Sequence, residues 1–147
     1  RNNTSPYAVI TSTKTILNPN GTAFCTFPSL NGNYYISIKH RNALQTWSAS
    51  PIFIGSMPVN YDFSNGSNKA YGNNMAEVEN GVWAFYSGEI DHDDNIDLLD
   101  IGIVDVDLLN FIFGYYPSDL NGDGNTDLLD LPDLEQNVSN FIYASHP

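Results

Sequence analysis

An internal repeat constrains this chain more than any other feature of its sequence. Residues 89–100 align with residues 119–130 at an offset of 30, acid over acid at the first, fifth, ninth and twelfth places. The match continues further, because the apolar residues 111–113 fall on residues 141–143. One acidic loop and one apolar segment bury little surface alone, so the two copies are expected to form one unit in which these apolar segments pack together.

Charge divides the chain at the point where the repeat begins. Residues 1–88 hold all five Lys and Arg against three acids, whereas residues 89–147 hold the other fourteen acids. A segment so charged repels itself unless cations neutralise it, and it is a poor surface for nucleic acid. We therefore expect two domains, residues 1–88 and residues 89–147, with cations bound to the second.

Residues 1–88 have the pattern of a β-protein. Short runs rich in β-branched and aromatic residues alternate with turn signals, and predicted strands cover residues 7–17, 22–27, 34–39, 46–50, 52–54, 59–63 and 82–86. Strands at this spacing are typical of an antiparallel β-sandwich, immunoglobulin-like or prealbumin-like in type. The fold class is therefore mainly β, with a small module of two loops and two helices after the sandwich.

The spacing of the acids predicts Ca²⁺, which takes six to eight oxygen ligands offered by alternate residues around a tight turn. The predicted ligands of the first loop are Glu89, Asp91, Asp93, Asn95, Asp97 and Asp100. Those of the second loop are Asp119, Asn121, Asp123, Asn125, Asp127 and Asp130. The second loop has Gly124 at its sixth place, where the backbone turns left-handed, and the first has Asp94. We expect two Ca²⁺ ions.

These loops resemble the paired calcium loops of a dockerin module. Both end in Asp at the twelfth place instead of the Glu of signalling EF-hands, and the preceding segments do not have the pattern of an entering helix. The resemblance covers residues 89–147 and implies a loop followed by one helix, twice. A sandwich that carries Lys-His-Arg-Asn-x-x-x-x-Trp at residues 39–47 and Ala-Tyr-Gly-Asn-Asn-Met at residues 70–75, followed by this module, is also similar to C-terminal domains of secreted and surface proteins of Bacteroidota-like bacteria. This resemblance implies an extracellular or cell-surface location.

Residues outside the acidic loops help to choose among an enzyme, a structural domain and a binding module. The three histidines lie apart without a nucleophile or acid at catalytic spacing, so we expect no enzyme. The leading hypothesis is a calcium-binding extracellular structural or assembly domain, including the subunit of a surface filament or polymer. The alternative is a dockerin-type adaptor or a carbohydrate-binding module. Aromatic residues available for sugar stacking, although such residues are more often core, are Tyr34, Tyr35, Trp47, Tyr61 and Trp83.

The expected partners are other proteins, either further copies of the chain or another surface protein. No apolar run reaches the roughly 18 residues needed to cross a bilayer, so no membrane insertion is expected, and the sequence has the character of a soluble mature fragment. Glycan is a further candidate, because Asn-x-Ser/Thr sequences begin at Asn2, Asn3, Asn20, Asn65 and Asn137.

Overall fold

Short antiparallel sheets and two helices make up the fold, which a computed structural model describes for all of residues 1–147. The strands are β1 (Gly32–Tyr34), β2 (Ser37–Ile38), β3 (Thr46–Trp47), β4 (Ile52–Ile54), β5 (Ala76–Glu79) and β6 (Val82–Ala84). The helices are α1 (Leu98–Leu109) and α2 (Leu131–Ser139). Neither is long and apolar enough to cross a membrane.

The strands pair as three separate two-stranded sheets, β1 with β4, β2 with β3, and β5 with β6. In the first, Gly32 lies opposite Ile54 and Tyr34 opposite Ile52. The predicted strand at residues 34–39 is divided between β1 and β2, which join different partners. The chain therefore has small antiparallel sheets and two helices, which agrees with a mainly-β or mixed small fold but does not make a clear sandwich.

Three predicted strands lie outside every sheet: residues 7–17, residues 22–27 and residues 59–63. The prediction of strands here is wrong, because a strand needs a partner edge and few backbone hydrogen bonds join these residues to the rest of the chain. Residues 7–27 instead form a surface segment that turns back on itself at residues 18–22.

Each helix follows an acidic loop; a loop acid caps α1, whereas Asp130 before α2 makes no side-chain cap hydrogen bond. Asp97 caps α1: its Oδ1 accepts from the Leu99 amide at 2.7 Å, while Asp100 Oδ2 accepts from the Asp97 amide at 2.9 Å. Pro132 lies in the first turn of α2, where a missing N–H does no harm. A loop followed by one helix therefore occurs twice.

The main apolar core joins the two predicted domains. Leu44, from residues 1–88, packs with Ile90, Ile96, Val104 and Leu134. The Leu44 amide also donates to the Tyr86 carbonyl at 2.8 Å. Gly88, at the predicted boundary, has φ 106°, and a Cβ there would lie 2.7 Å from Leu134 Cδ1. The boundary itself stays a prediction, but packing continues across it.

The apolar segments at the end of each repeat do not pack as expected. Phe111 and Phe141 are 76 % and 84 % exposed. Each follows the end of its helix in a left-handed conformation, with φ 53° and 54°. That turn directs the chain back toward the loops, so Ile142, and not its aromatic neighbours, packs against the core.

Candidate metal centre

The two acidic loops adopt the same backbone path. The second loop turns left-handed at Gly122 and Gly124, with φ 79° and 87°. The first does so at the equivalent His92 and Asp94, with φ 64° and 75°. Asp94 therefore makes the turn predicted for the sixth place, although it is not glycine.

Side chains at the third and fifth places shape each loop through equivalent hydrogen bonds. Asp93 Oδ1 accepts from the Asn95 amide at 2.8 Å, and Asp123 Oδ1 accepts from the Asn125 amide at 2.9 Å. One step earlier, Asp91 Oδ1 accepts from Asp93 at 3.1 Å, and Asn121 Oδ1 accepts from Asp123 at 2.8 Å. These bonds hold the oxygens of one loop on the concave side of its turn.

The twelfth-place carboxylates close the loops from within. Asp130 Oδ1 accepts from the amides of Leu120 and Asn121 at 2.7 and 3.0 Å, and its Oδ2 accepts from Asp127 at 2.9 Å. Asp100 makes the equivalent bonds, to Ile90, Asp91 and Asp97. Both carboxylates are buried. Burial raises the pKa of Asp100, which the three amide donors partly offset.

The ninth-place acids, Asp97 and Asp127, lie at the end of each loop. Asp127 Oδ1 accepts from the Leu129 amide at 2.8 Å, as Asp97 does from Leu99 at 2.7 Å. In both residues Oδ2 accepts no hydrogen bond from the chain. A carboxylate has about four acceptor positions, so each still has capacity for a cation or a water.

Glu89 opens the first loop as a buried carboxylate, with only 1 % of its surface exposed. Burial raises its pKa, and His92, whose Nδ1 lies 3.4 Å from Oε2, opposes that shift. Carboxylate oxygens of Glu89, Asp91 and Asp93 lie within 4.8 Å of one another. This triad could hold a metal ion.

Asp119 opens the second loop and supplies the sharpest test of whether these residues fit a cation. It is fully buried. Its Oδ1 accepts from the Gly122 amide at 2.8 Å, but its Oδ2 has no hydrogen-bond partner. The nearest cation, Arg41 Nη2, lies 3.8 Å away. Burying a carboxylate oxygen without a hydrogen-bond donor costs free energy. A metal ion bound by the oxygens of this loop would be the missing partner.

The carbonyl oxygens at the seventh places are also free. Neither the Asn95 nor the Asn125 carbonyl accepts a hydrogen bond from the chain. Together with the side-chain oxygens around them, they complete the kind of ligand set that Ca²⁺ takes: hard, oxygen-only and partly anionic.

Each repeat holds the loop of the other. The Ile96 amide in the first loop donates to the Ile142 carbonyl at 2.9 Å, and the Thr126 amide in the second donates to the Ile112 carbonyl at 3.1 Å. The equivalent bonds of the sixth places run from Gly114 to Gly124 and from Ala144 to Asp94, both at 2.7 Å. The loops are therefore related by an internal two-fold pseudosymmetry.

Two residues that the sequence did not single out as site residues position the second loop. Arg41 Nη2 and Asn42 Nδ2 donate to the Asp119 carbonyl at 3.2 and 2.9 Å. Arg41 Nη1 also donates to the Tyr116 carbonyl. Because these contacts join residues more than 70 positions apart, no local pattern predicts them. Their one signal is that Arg41 and Asn42 lie together in a chain with few cations.

The other candidate groups have separate environments. Trp47 is buried, and its ring packs edge-on against Tyr7 and Tyr35, so it presents no free face for a sugar. His146 lies beside the Trp47 ring, with centroids 6.0 Å apart. Asn137, one of the Asn-x-Ser/Thr sites, is buried and donates to the Ser87 carbonyl at 2.8 Å.

Comparison with protein-family models, curated proteins and solved structures finds no match to this chain. The likeness to dockerin loops therefore depends on the repeated residues themselves.

Proposed function

We propose that the chain is a non-enzymatic extracellular structural domain that binds two Ca²⁺ ions and joins protein to protein. The observation that carries the metal assignment is the buried Oδ2 of Asp119, which accepts no hydrogen bond, at the first place of a loop of regularly spaced oxygens. An acidic patch made only for solubility would keep its carboxylates in water.

Each ion has its own ligand set. In the first loop the proposed ligands are the side chains of Glu89, Asp91, Asp93, Asp97 and Asp100 with the Asn95 carbonyl. In the second they are the side chains of Asp119, Asn121, Asp123, Asp127 and Asp130 with the Asn125 carbonyl. Bound Ca²⁺ neutralises crowded carboxylates and fixes the loop, so its binding free energy becomes folding free energy.

The joining function is supported by how much apolar surface the chain exposes. Large hydrophobic side chains on the surface number 23, against nine hydrophobic residues in the core. The accessible surface is 9209 Å². A folded chain of this mass typically exposes about 7,500 Å². We propose that strands from partner molecules cover this additional exposed surface and complete the sandwich that one chain does not form.

Calorimetry tests the metal assignment. After chelation and buffer exchange, titration with Ca²⁺ should give two equivalents, and Asp123→Ala should retain one. Asp105→Ala removes an exposed acid of α1 outside both loops and should retain two. An absence of binding heat together with unchanged thermal stability in calcium would overturn the assignment.

An adaptor is the second candidate, favoured by a pair of apolar patches related by the repeat. Leu98 and Leu99 are 73 % and 62 % exposed, and their counterparts Leu128 and Leu129 are 69 % and 68 % exposed. Two equivalent patches at the start of two helices suit a partner that docks on the calcium module. Lysine at both Leu99 and Leu129 would then abolish partner binding while two equivalents of Ca²⁺ still bind.

A further inference from the structure

A surface hairpin at residues 8–31 has no counterpart in the calcium module and is not explained by it. Every residue from 12 to 29 is exposed. Among them are apolar side chains that a free-standing domain would bury: Ile16 is 82 % and Phe24 is 85 % exposed. We name residues 8–31 the arm.

The arm turns back on itself as a hairpin does, but its two limbs are not paired along their length. Its turn is closed by the Asn18 amide donating to the Thr22 carbonyl at 2.8 Å. Beyond the turn, the amides of residues 9–17 and 23–31 donate to no backbone carbonyl. The one further bond across the arm runs from Thr15 Oγ1 to the Phe24 carbonyl at 2.8 Å. Two rows of backbone donors and acceptors are thus available to another strand.

The base of the arm is anchored, so the arm projects from a defined place. Tyr7 packs edge-on against Tyr35, with ring centroids 6.1 Å apart, and the Asn2 amide donates to the Ala8 carbonyl at 2.8 Å. At its other end the arm continues into β1. Ten extended residues span roughly 33 Å, enough to reach well into a neighbouring molecule.

The same chain carries an acceptor of matching chemistry. β4 pairs only with β1, which leaves its other edge open, and Phe53 on β4 is 58 % exposed. Residues 55–63, which follow β4, neither donate nor accept a backbone–backbone hydrogen bond. The next such bond is at Ser64, whose carbonyl accepts from the Trp83 amide. Met57 and Val59 within them are exposed. Open edge and apolar side chains lie together, as strand addition requires.

We propose that the arm of one molecule adds to the β4 edge and residues 55–59 of a second copy of this chain. The excess surface noted above, about 1,700 Å², is close to the roughly 1,600 Å² that a standard protein interface buries. The only charge in the arm is Lys14, and residues 52–59 of the acceptor carry no charged side chain, so charge does not oppose the contact.

Arm and acceptor are different surfaces, so the contact is heterologous and repeats head to tail, which builds a ring or an open polymer according to the rotation between copies. A lipid partner fits less well, because the tip that would enter a membrane first is the polar turn Asn18-Pro19-Asn20-Gly21. This inference rests on the proposed joining function and names its partner and its residues.

Sedimentation velocity of the full chain in calcium tests the proposal with Phe24→Lys. Wild type should sediment as assemblies, and Phe24→Lys as single chains of 16.3 kDa. Phe24 is exposed, so the variant keeps its fold. The matched control is Leu109→Lys, an exposed position at the end of α1, which should assemble like wild type. A monomeric wild type, or assembly of Phe24→Lys, would overturn the proposal.

Calcium titration of the same samples separates this proposal from the metal assignment. A wild type that binds two equivalents and stays monomeric overturns the arm and leaves the metal centre. Assembly that depends on Phe24 but takes up no calcium supports the arm and overturns the metal centre. Co-sedimentation of monomeric wild type, but not Phe24→Lys, with phosphatidylcholine vesicles would assign the arm to lipid.

Cross-linking tests the acceptor. Cys25 is the only cysteine and lies exposed on the arm. Met57→Cys places a second thiol on the acceptor, and a short bismaleimide should then produce a ladder beyond dimers. Met57→Cys combined with Cys25→Ser should give no ladder. If Met57→Cys alone assembles but also gives no ladder, β4 is not the acceptor.

Discussion

Asp94 shows how one residue distinguishes the two loops. It takes the left-handed conformation that its counterpart Gly124 takes, with φ 75° against 87°. Asp reaches this region more easily than most residues, but it still meets a Cβ clash that glycine avoids. No hydrogen bond or ion pair of its side chain offsets that cost. The first loop is therefore the more strained of the two.

Asp94→Gly should stabilise the metal-free protein by about 1 kcal/mol, because it removes the left-handed strain and one of six crowded acids. Thermal unfolding in chelator measures the effect. Gly124→Asp is the matched reverse change: a Cβ there meets nothing within 4 Å, so its expected destabilisation reports backbone strain and one added acid, without a steric clash. Equal stability of all three proteins would contradict this account.

Buried acids at the loop ends give the metal-free protein an unusual response to pH. Burial raises the pKa of both Glu89 and Asp100 above the ordinary values near 4. Each group therefore contributes stability that is fully present below its unfolded pKa and is lost as pH rises through its folded pKa. Asp123 acts in the opposite sense in acid, because the Asn125 amide lowers its pKa.

In chelator, unfolding free energy should therefore fall as pH rises from about 4 toward neutrality. In saturating calcium it should rise over the same range, since the ligands must be deprotonated to bind metal. Denaturant titrations at several pH values, with and without calcium, measure both slopes. Slopes of the same sign would argue against calcium at these carboxylates.

The elements differ in how far the sequence predicts them. The spacing of the acids predicts the loops, and the dockerin resemblance predicts a helix after each, because both depend on local features: Asp97 Oδ1 accepts from the Leu99 amide only two residues away. The sequence predicts an antiparallel sandwich for residues 1–88, but the predicted strands at residues 7–17, 22–27 and 59–63 are unpaired, since pairing depends on an edge elsewhere in the chain. The contact of Asn42 with Asp119, 77 residues apart, was not predictable for the same reason.

Leu134 in α2 is the contact through which the helices depend on the first half of the chain. It is fully buried and lies in the core cluster with Leu44 and Val104. Leu134→Ala should cost about 2–5 kcal/mol, measured by urea unfolding in calcium. Leu129→Ala, at an exposed position beside the same helix, should change stability by less than about 0.5 kcal/mol. If both variants lost a similar amount of unfolding free energy, Leu134 would not belong to the core that joins α2 to Leu44.

At the scale of the whole molecule, the proposed metal assignment and the shared core together predict that calcium stabilises residues 1–88. Saturating a site at a hundredfold excess over Kd adds about 2.7 kcal/mol. Chelation should therefore lower the melting midpoint by several degrees, and the fluorescence of Trp47 and Trp83 should follow the same transition as the helical signal. A tryptophan transition that ignores chelator would show that the two halves unfold independently.

The cross-repeat bonds have a consequence for the topology of the calcium module. The first loop leads into α1, α1 into the segment that holds the second loop, and the second loop through α2 into the segment that holds the first. Each half of this module is therefore bound to the other by the bonds from Ile96 to Ile142 and from Thr126 to Ile112, as well as by the covalent chain. A proteolytic cut within residues 115–117 should leave the two fragments associated as long as the loops keep their shape.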